Sequence, residues 1–316
     1  MPAIIDYGYG ISAVDSGYVR PQLDAVHLII ENGRAAVIDT GAQHSVPHIL
    51  GALAAKGIAP TAVDYVILTH IHLDHAGGAG ALMRTLPNAR LTVHPRGVRH
   101  MVDPSRLIEG TVAVYGEAQT HALYGDILPV AMERIVATPD GTQLMLAGRL
   151  LSFHETPGHA RHHVVIHDER SGRVFAGDTF GVSYRELDED GRQFVFPTTS
   201  PVQFEPEPYH RSIDLIAGLA SDAVYLTHYS ELRDPQTKVD DLHRLVDAHA
   251  ALALALRGAG PERERRLYEG VRDLLLEEAH RYGPQLSDDE VMAVYGTDVE
   301  LNAQGLGVWL DTTEPA

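Results

Sequence analysis

Four groups able to bind a metal fall within six residues, His70-Ile71-His72-Leu73-Asp74-His75. Imidazole and carboxylate are N and O donors, which suit zinc and also iron or manganese. A divalent ion held there supplies hydrolytic chemistry, because it lowers the pKa of a coordinated water to about 7. The preceding run Tyr65-Val66-Ile67-Leu68 is apolar and partly β-branched, so it reads as a buried strand. In an extended chain, side chains two apart share a face. His70, His72 and Asp74 can therefore converge as that strand passes into a loop. His75 follows Asp74 directly and points elsewhere. One ion cannot easily take all four groups, whereas two adjacent ions can. The chain has 19 histidines, so an isolated His-x-His carries little. The complete cluster at a strand end, followed by Ala76-Gly77-Gly78, carries much more.

The surrounding chain alternates short strands with helices. Residues 25–30 and 35–39 are apolar runs joined through Asn32-Gly33, a hairpin signal. Val46 to Lys56 reads as a helix closed by Gly57. Gly80 to Leu86 is another helix, and Arg90 to His94 a strand. Between Pro95 and Pro129 the apolar residues lack a clean period and predict an irregular or helical insertion near the site. Thr142 to Leu146, Leu150 to His154, Val164 to His167, Arg173 to Gly177 and Ala223 to Thr227 read as strands. Tyr209 to Leu219 reads as a helix. Gly181 to Pro208, rich in Pro, Phe and charge, reads as a long loop or hairpin outside the core. From Thr237 onward the spacing is helical, with a break at Gly258 to Pro261. Ser287 to Glu290 forms a capping-box pattern that opens a third, short helix. The apolar segment Leu301 to Leu310 must dock somewhere.

Length and charge narrow the partners. At 316 residues and 44% hydrophobic content, the chain can bury one large α/β domain with an appendage. A formal charge of −18 argues against nucleic acid and against an anionic membrane surface. There are no cysteines, so disulfides and thiolate ligands are excluded. The N-terminus shows no signal-peptide pattern, and no apolar run approaches the roughly 20 residues needed to span a bilayer. The expectation is a cytoplasmic protein acting on a small molecule, with homo-oligomerisation left open.

Three further potential ligands sit at strand ends: His159 in Thr156-Pro157-Gly158-His159, Asp178 after Gly177, and His228 after Thr227. Singly, each reads as a loop, turn or cap residue. Together with His70-Ile71-His72-Leu73-Asp74-His75, their order resembles the motif series of the metallo-β-lactamase fold superfamily over roughly residues 25 to 230. That resemblance implies an αββα four-layer sandwich of two mixed β-sheets, here expected over 1–236, with a helical extension over 237–316. It implies His70, His72 and His159 on one divalent ion, and Asp74, His75 and His228 on a second. Asp178 would bridge the two, and Asp39 would orient a ligand imidazole from behind. Asp74 and Asp178 would be the catalytic carboxylates. Arg161, Tyr184 and Tyr229 are candidates for the substrate pocket.

The implied activity is a metal-dependent hydrolase that uses a metal-bridged hydroxide on an ester, lactone or thioester. The ligand set is similar to that of glyoxalase II and of lactonases, with two zinc ions as the first expectation. A mononuclear iron dioxygenase resembling persulfide dioxygenase, on His70, His159 and Asp178, is the alternative. A phosphodiesterase or a silent binding protein is less favoured. The loops Ile108 to Tyr124 and Gly181 to Pro208 offer Ile108, Tyr115, Tyr124, Tyr184, Phe194 and Phe196 as an apolar wall, and Arg161 and Arg185 are candidate anchors for one carboxylate.

Overall fold

The computed structural model describes residues 3–199, 203–283 and 285–313. Seven strands form the first sheet in chain order: β1 (Ile4–Gly8), β2 (Ile11–Asp15), β3 (Ala25–Glu31), β4 (Arg34–Ile38), β5 (Val63–Ile67), β6 (Arg90–Val93) and β7 (Ile135–Ala137). β1 to β4 pair antiparallel, and β4 to β7 pair parallel. The second sheet comprises β8 (Gln143–Leu146), β9 (Arg149–Glu155), β10 (Val164–Asp168), β11 (Arg173–Gly177), β12 (Ala223–Leu226) and β13 (Ser230–Arg233), in the order β13-β12-β11-β10-β9-β8. Both sheets are mixed, since β11 and β12 alone pair parallel in the second. The turn between β3 and β4 has Asn32 at φ 48° and Gly33 at φ 76°, the left-handed pair that a tight hairpin with native twist requires.

Strand alternation builds the layers. Ile29, Ala36, Ile38 and Ile67 of the first sheet meet Phe153, Ile166, Phe175 and Tyr225 of the second in one inner core. The intervening residues Leu28, Val37 and Val66 face outward onto α1 (Val46–Ala55) and the helices that follow β5, α2 (Leu73–Ala76) and α3 (Ala79–Thr85). On the far side Val165, Val174 and Val224 face α7 (Pro206–Leu219). The result is the expected helix–sheet–sheet–helix stack. The 95–129 insertion is helical, as α4 (Val98–Val102), α5 (Ser105–Tyr115) and α6 (Glu117–Tyr124), with Gly116 at φ 78° breaking α5 from α6. No helix among the described residues is long and apolar enough to cross a membrane.

Two expectations fail. The stretch after Gly181 is core, not surface: Val182, Tyr184, Leu187, Phe194, Val195 and Phe196 are all buried. Val182 pairs with Phe196, and the aromatic rings fill the space beneath the C-terminal helices α8 (Val239–Leu256), α9 (Arg263–Tyr282) and α10 (Asp288–Thr313). Phe194 lies 5.4 Å from Tyr282 and 5.8 Å from Tyr295, and Phe196 lies 5.1 Å from His249, between ring centroids. These phenylalanines therefore cannot wall a substrate pocket. The third C-terminal helix is also not short. The capping box forms, with the Ser287 N–H donating to Glu290 at 2.8 Å, but α10 then runs 26 residues. Val291, Tyr295, Val299, Ala303, Leu306 and Leu310 recur every three or four residues and are buried, so one continuous stripe docks the whole helix. That stripe shares a single apolar cluster with α7 and the second sheet.

A chain ended after Asp234 uncovers Phe194, Phe196 and the face of α7. Such large exposed patches drive aggregation. The truncated protein is expected to be insoluble or to lose cooperative thermal unfolding. A soluble, monodisperse truncation with a sharp transition would contradict this packing.

Candidate metal centre

Every predicted ligand lies at one edge of the sandwich, where strands end. His70 and His72 follow β5, Asp74 and His75 stand on α2, His159 follows β9, Asp178 follows β11 and His228 follows β12. His70 Nε2 is 2.9 Å from His72 Nδ1, and His159 Nε2 is 3.3 Å and 3.1 Å from those two atoms. On the other side, Asp74 Oδ2 is 3.4 Å from His228 Nε2 and 3.8 Å from His75 Nε2. Asp178 stands between the two groups. Its Oδ1 is 3.3 Å from His75 Nε2, and its Oδ2 is 3.7 Å from His159 Nε2 and 3.6 Å from His228 Nε2. The structure thus brings all seven residues together, in overlapping sets whose donor atoms lie within 4.8 Å of one another.

Buried partners fix which nitrogens face inward. Asp39, 1% exposed, accepts the Thr69 N–H at 2.9 Å, the Thr69 hydroxyl at 2.9 Å and the Thr227 hydroxyl at 2.9 Å. It also takes His75 Nδ1 at 2.9 Å, leaving Nε2 for the cluster. Since the Thr69 hydroxyl donates to Asp39, its oxygen accepts from His70 Nδ1 at 3.2 Å, which turns His70 Nε2 inward too. His228 Nδ1 bonds the Leu23 carbonyl at 3.2 Å, with the Asp24 carboxylate 2.8 Å away as a charge partner, so Nε2 faces the cluster. His163 supports the bridge: its Nε2 accepts the Asp178 backbone N–H at 3.2 Å while Nδ1 bonds Thr156 at 2.8 Å. Gly177 has φ 50°, and a Cβ there would meet His163 Nε2 at 2.5 Å, so only glycine lets Asp178 stand so close.

Electrostatics suit a cation. Burial, then the facing imidazoles, keep His70 below its ordinary value, and burial followed by His72 lowers His159 to about 3. Those rings are neutral at neutral pH, the form that ligates. Burial alone would raise Asp178, but His75 and His228 hold it well below the carboxylate range. Burial pushes Asp24 up to about 6, against the pull of His228. His75 Nε2 and Asp178 Oδ1 are buried without a hydrogen-bond partner. Against burial, the Asp178 and Asp74 charges raise His75, so a proton faces Asp178 across 3.3 Å, and a cation there takes the place of that proton. The donor set is entirely N and O, so the residues fit a divalent metal.

The predicted pocket residues fare differently. Tyr184 is buried behind His228, its ring 6.3 Å away and its hydroxyl donating to Asp298 on α10 at 3.3 Å. Tyr229 is 1% exposed, and its hydroxyl has no hydrogen-bond partner. Neither is an open wall, because both belong to the packed layer under the C-terminal helices. Arg185 is spent on the Glu231 carbonyl and Asp188, at 3.2 Å and 3.3 Å. Arg161 is exposed and paired with Glu205 at 2.8 Å. Tyr124 and Tyr115 do approach the site, and Tyr18, missed in the sequence, stacks on Tyr124 at 5.7 Å. Burial, followed by the Asp74 charge, raises the Tyr18 and Tyr124 hydroxyls and pushes Tyr115 up to about 12. Tyr18 and Tyr124 pack with Ala42 and Leu73 as an apolar patch beside Asp74.

The family model of the metallo-beta-lactamase superfamily matches residues 24–228. The chain belongs to that superfamily. It is 25% identical over 199 residues to the metallo-beta-lactamase fold-containing protein ST1585 of Sulfurisphaera tokodaii, covering 61% of this chain and 68% of that protein. The crystal structure of ST1585 superposes with a TM-score of 0.63 at 20% identity, covering 95% of this chain and 99% of the other, which shows the fold. The protein YobT of Bacillus subtilis is 25% identical over 217 residues, covering 67% of this chain and 86% of its own. A hydroxyacylglutathione hydrolase of Aeromonas salmonicida is 28% identical over 204 residues, covering 64% of this chain and 60% of that enzyme.

Asp39→Asn keeps the shape but gives His75 an ambiguous partner. Removing such an orienting carboxylate typically costs about 10–100-fold in metal affinity. Metal retention against a chelator is expected to fall by that order. Retention equal to the parent would contradict the orienting role.

Proposed function

We propose that this protein is a metal-dependent hydrolase that cleaves an ester, lactone or thioester at a centre of two divalent ions, zinc foremost. The observation that carries this reading is the placement of Asp178 between two complete three-residue sets, with separate oxygens toward His75 and toward His159 and His228. Membership of a superfamily of mostly hydrolytic enzymes supports it, as does the likeness to hydroxyacylglutathione hydrolases. Bound there, the ions supply an acidified water, with a pKa of about 7, and Lewis acidity toward the acyl oxygen. His70, His72 and His159 hold one side and Asp74, His75 and His228 the other. Asp74 and Asp178 are ionised, since the facing imidazoles outweigh burial at both, and either carboxylate can accept a proton during turnover. The Tyr18–Tyr124 patch beside Asp74 excludes water and favours a small, largely apolar acyl group over a polyanion.

Protein purified without added metal is expected to carry about two ions per chain and to turn over acyl substrates. The panel comprises an ester, a lactone and a thioester, with bis-p-nitrophenyl phosphate and a short RNA as poor substrates. One tightly held ion, unchanged in His228→Ala, would remove the dinuclear centre and favour the mononuclear oxygenase chemistry. Phosphodiester turnover above acyl turnover, with both lost in His72→Ala, would overturn the substrate class.

A further inference from the structure

Beside the ligand cluster lies a cavity of about 390 Å³. Arg96, Arg99, His100, Arg161, His162 and Gln203 line it. This is a concentration of positive charge in a chain whose formal charge is −18. Arg161 is neutralised by Glu205 at 2.8 Å. Arg96 and Arg99 have no carboxylate within 4.0 Å among the described residues, and the Arg99 Nε–H donates only to His100 Nε2, at 3.1 Å. Gln203 Oε1 accepts the Arg161 N–H at 2.6 Å, which leaves the Gln203 amide NH2 as a donor. Two guanidinium forks and an amide donor, with no acid to satisfy them, form a receptor for an oxyanion.

The cavity adjoins the metal centre through His162. Its ring stacks on His70 at 6.1 Å and meets His72 edge-on at 5.7 Å, between centroids. His162 Nδ1 is buried with no partner. One imidazole therefore stands between the ligand trio and the arginine-lined cavity.

We infer that this cavity binds the anionic end of the substrate, a carboxylate carried a few bonds from the scissile acyl group. The inference rests on the hydrolase reading and narrows it to acyl compounds with a second, negatively charged terminus. A carboxylate and a phosphate share the chemistry that two arginines recognise, so both are tested. The carboxylate is favoured because it carries less charge than a phosphate beside an edge that holds Asp74 and Asp178.

The test compares the p-nitrophenyl monoesters of glutarate and butyrate on the metal-loaded full chain, in the parent and in Arg96→Ala/Arg99→Ala. The parent is expected to prefer the glutarate ester. The double variant is expected to lose about tenfold or more in the glutarate-to-butyrate ratio of kcat/KM, carried by KM. An unchanged ratio would overturn the inference. In parallel, glutarate and inorganic phosphate are titrated into both proteins by calorimetry. Weaker binding of either anion in the variant supports the cavity as the subsite, and the tighter of the two identifies the group. Equal affinities in the two proteins would overturn it. If neither ester is hydrolysed, the hydrolase reading fails, and the calorimetry alone decides the anion site.

Discussion

The Asp39 carboxylate is the constraint on which the centre depends. A buried charge is costly unless donors surround it, and here four do: the Thr69 N–H and hydroxyl, the Thr227 hydroxyl and His75 Nδ1. Thr69 and Thr227 stand at the ends of β5 and β12, one in each sheet, and His75 on α2. Asp39 therefore both closes the edge of the sandwich and sets the inward nitrogens of His70 and His75, one in each ligand set. Its φ of 58° places it in the left-handed region, where aspartate is better tolerated than most side chains. At His228 the Leu23 carbonyl takes Nδ1 and the buried Asp24 carboxylate adds its charge from 2.8 Å.

Much of this was legible because the ligands sit where periodicity changes. A run of apolar residues that stops at His70, Asp178 or His228 marks a strand end, and strand ends on one sheet edge are neighbours in space. The hairpin at Asn32-Gly33 and the C-terminal helices were legible for equally local reasons. Asp24 was not, because one acid before an apolar strand looks like any turn residue. Its role is created by a histidine 204 positions away in the chain. Tyr18 was invisible on the same ground, since its stacking partner belongs to a distant insertion. Tyr184, Phe194 and Phe196 misled for the opposite reason. An aromatic stretch without a period reads as exposed loop, and only the cover from α8, α9 and α10 turns it into core.

The walls around the centre are chemically unequal. Tyr18, Tyr124 and Leu73 present an apolar face beside Asp74, while Arg96 and Arg99 line a cavity that His162 separates from His70 and His72. A fold shared across many hydrolases supplies the edge and the ligands. The walls themselves are built on segments that join the strands, the 95–129 insertion and the turn after His159.

The most direct measurement is anomalous X-ray scattering from crystals of the full-length, metal-loaded protein. Two anomalous peaks are expected, one among His70, His72 and His159 and the other among Asp74, His75 and His228, with the Asp178 carboxylate between them. A single peak, or two peaks of which neither touches Asp178, would contradict this arrangement.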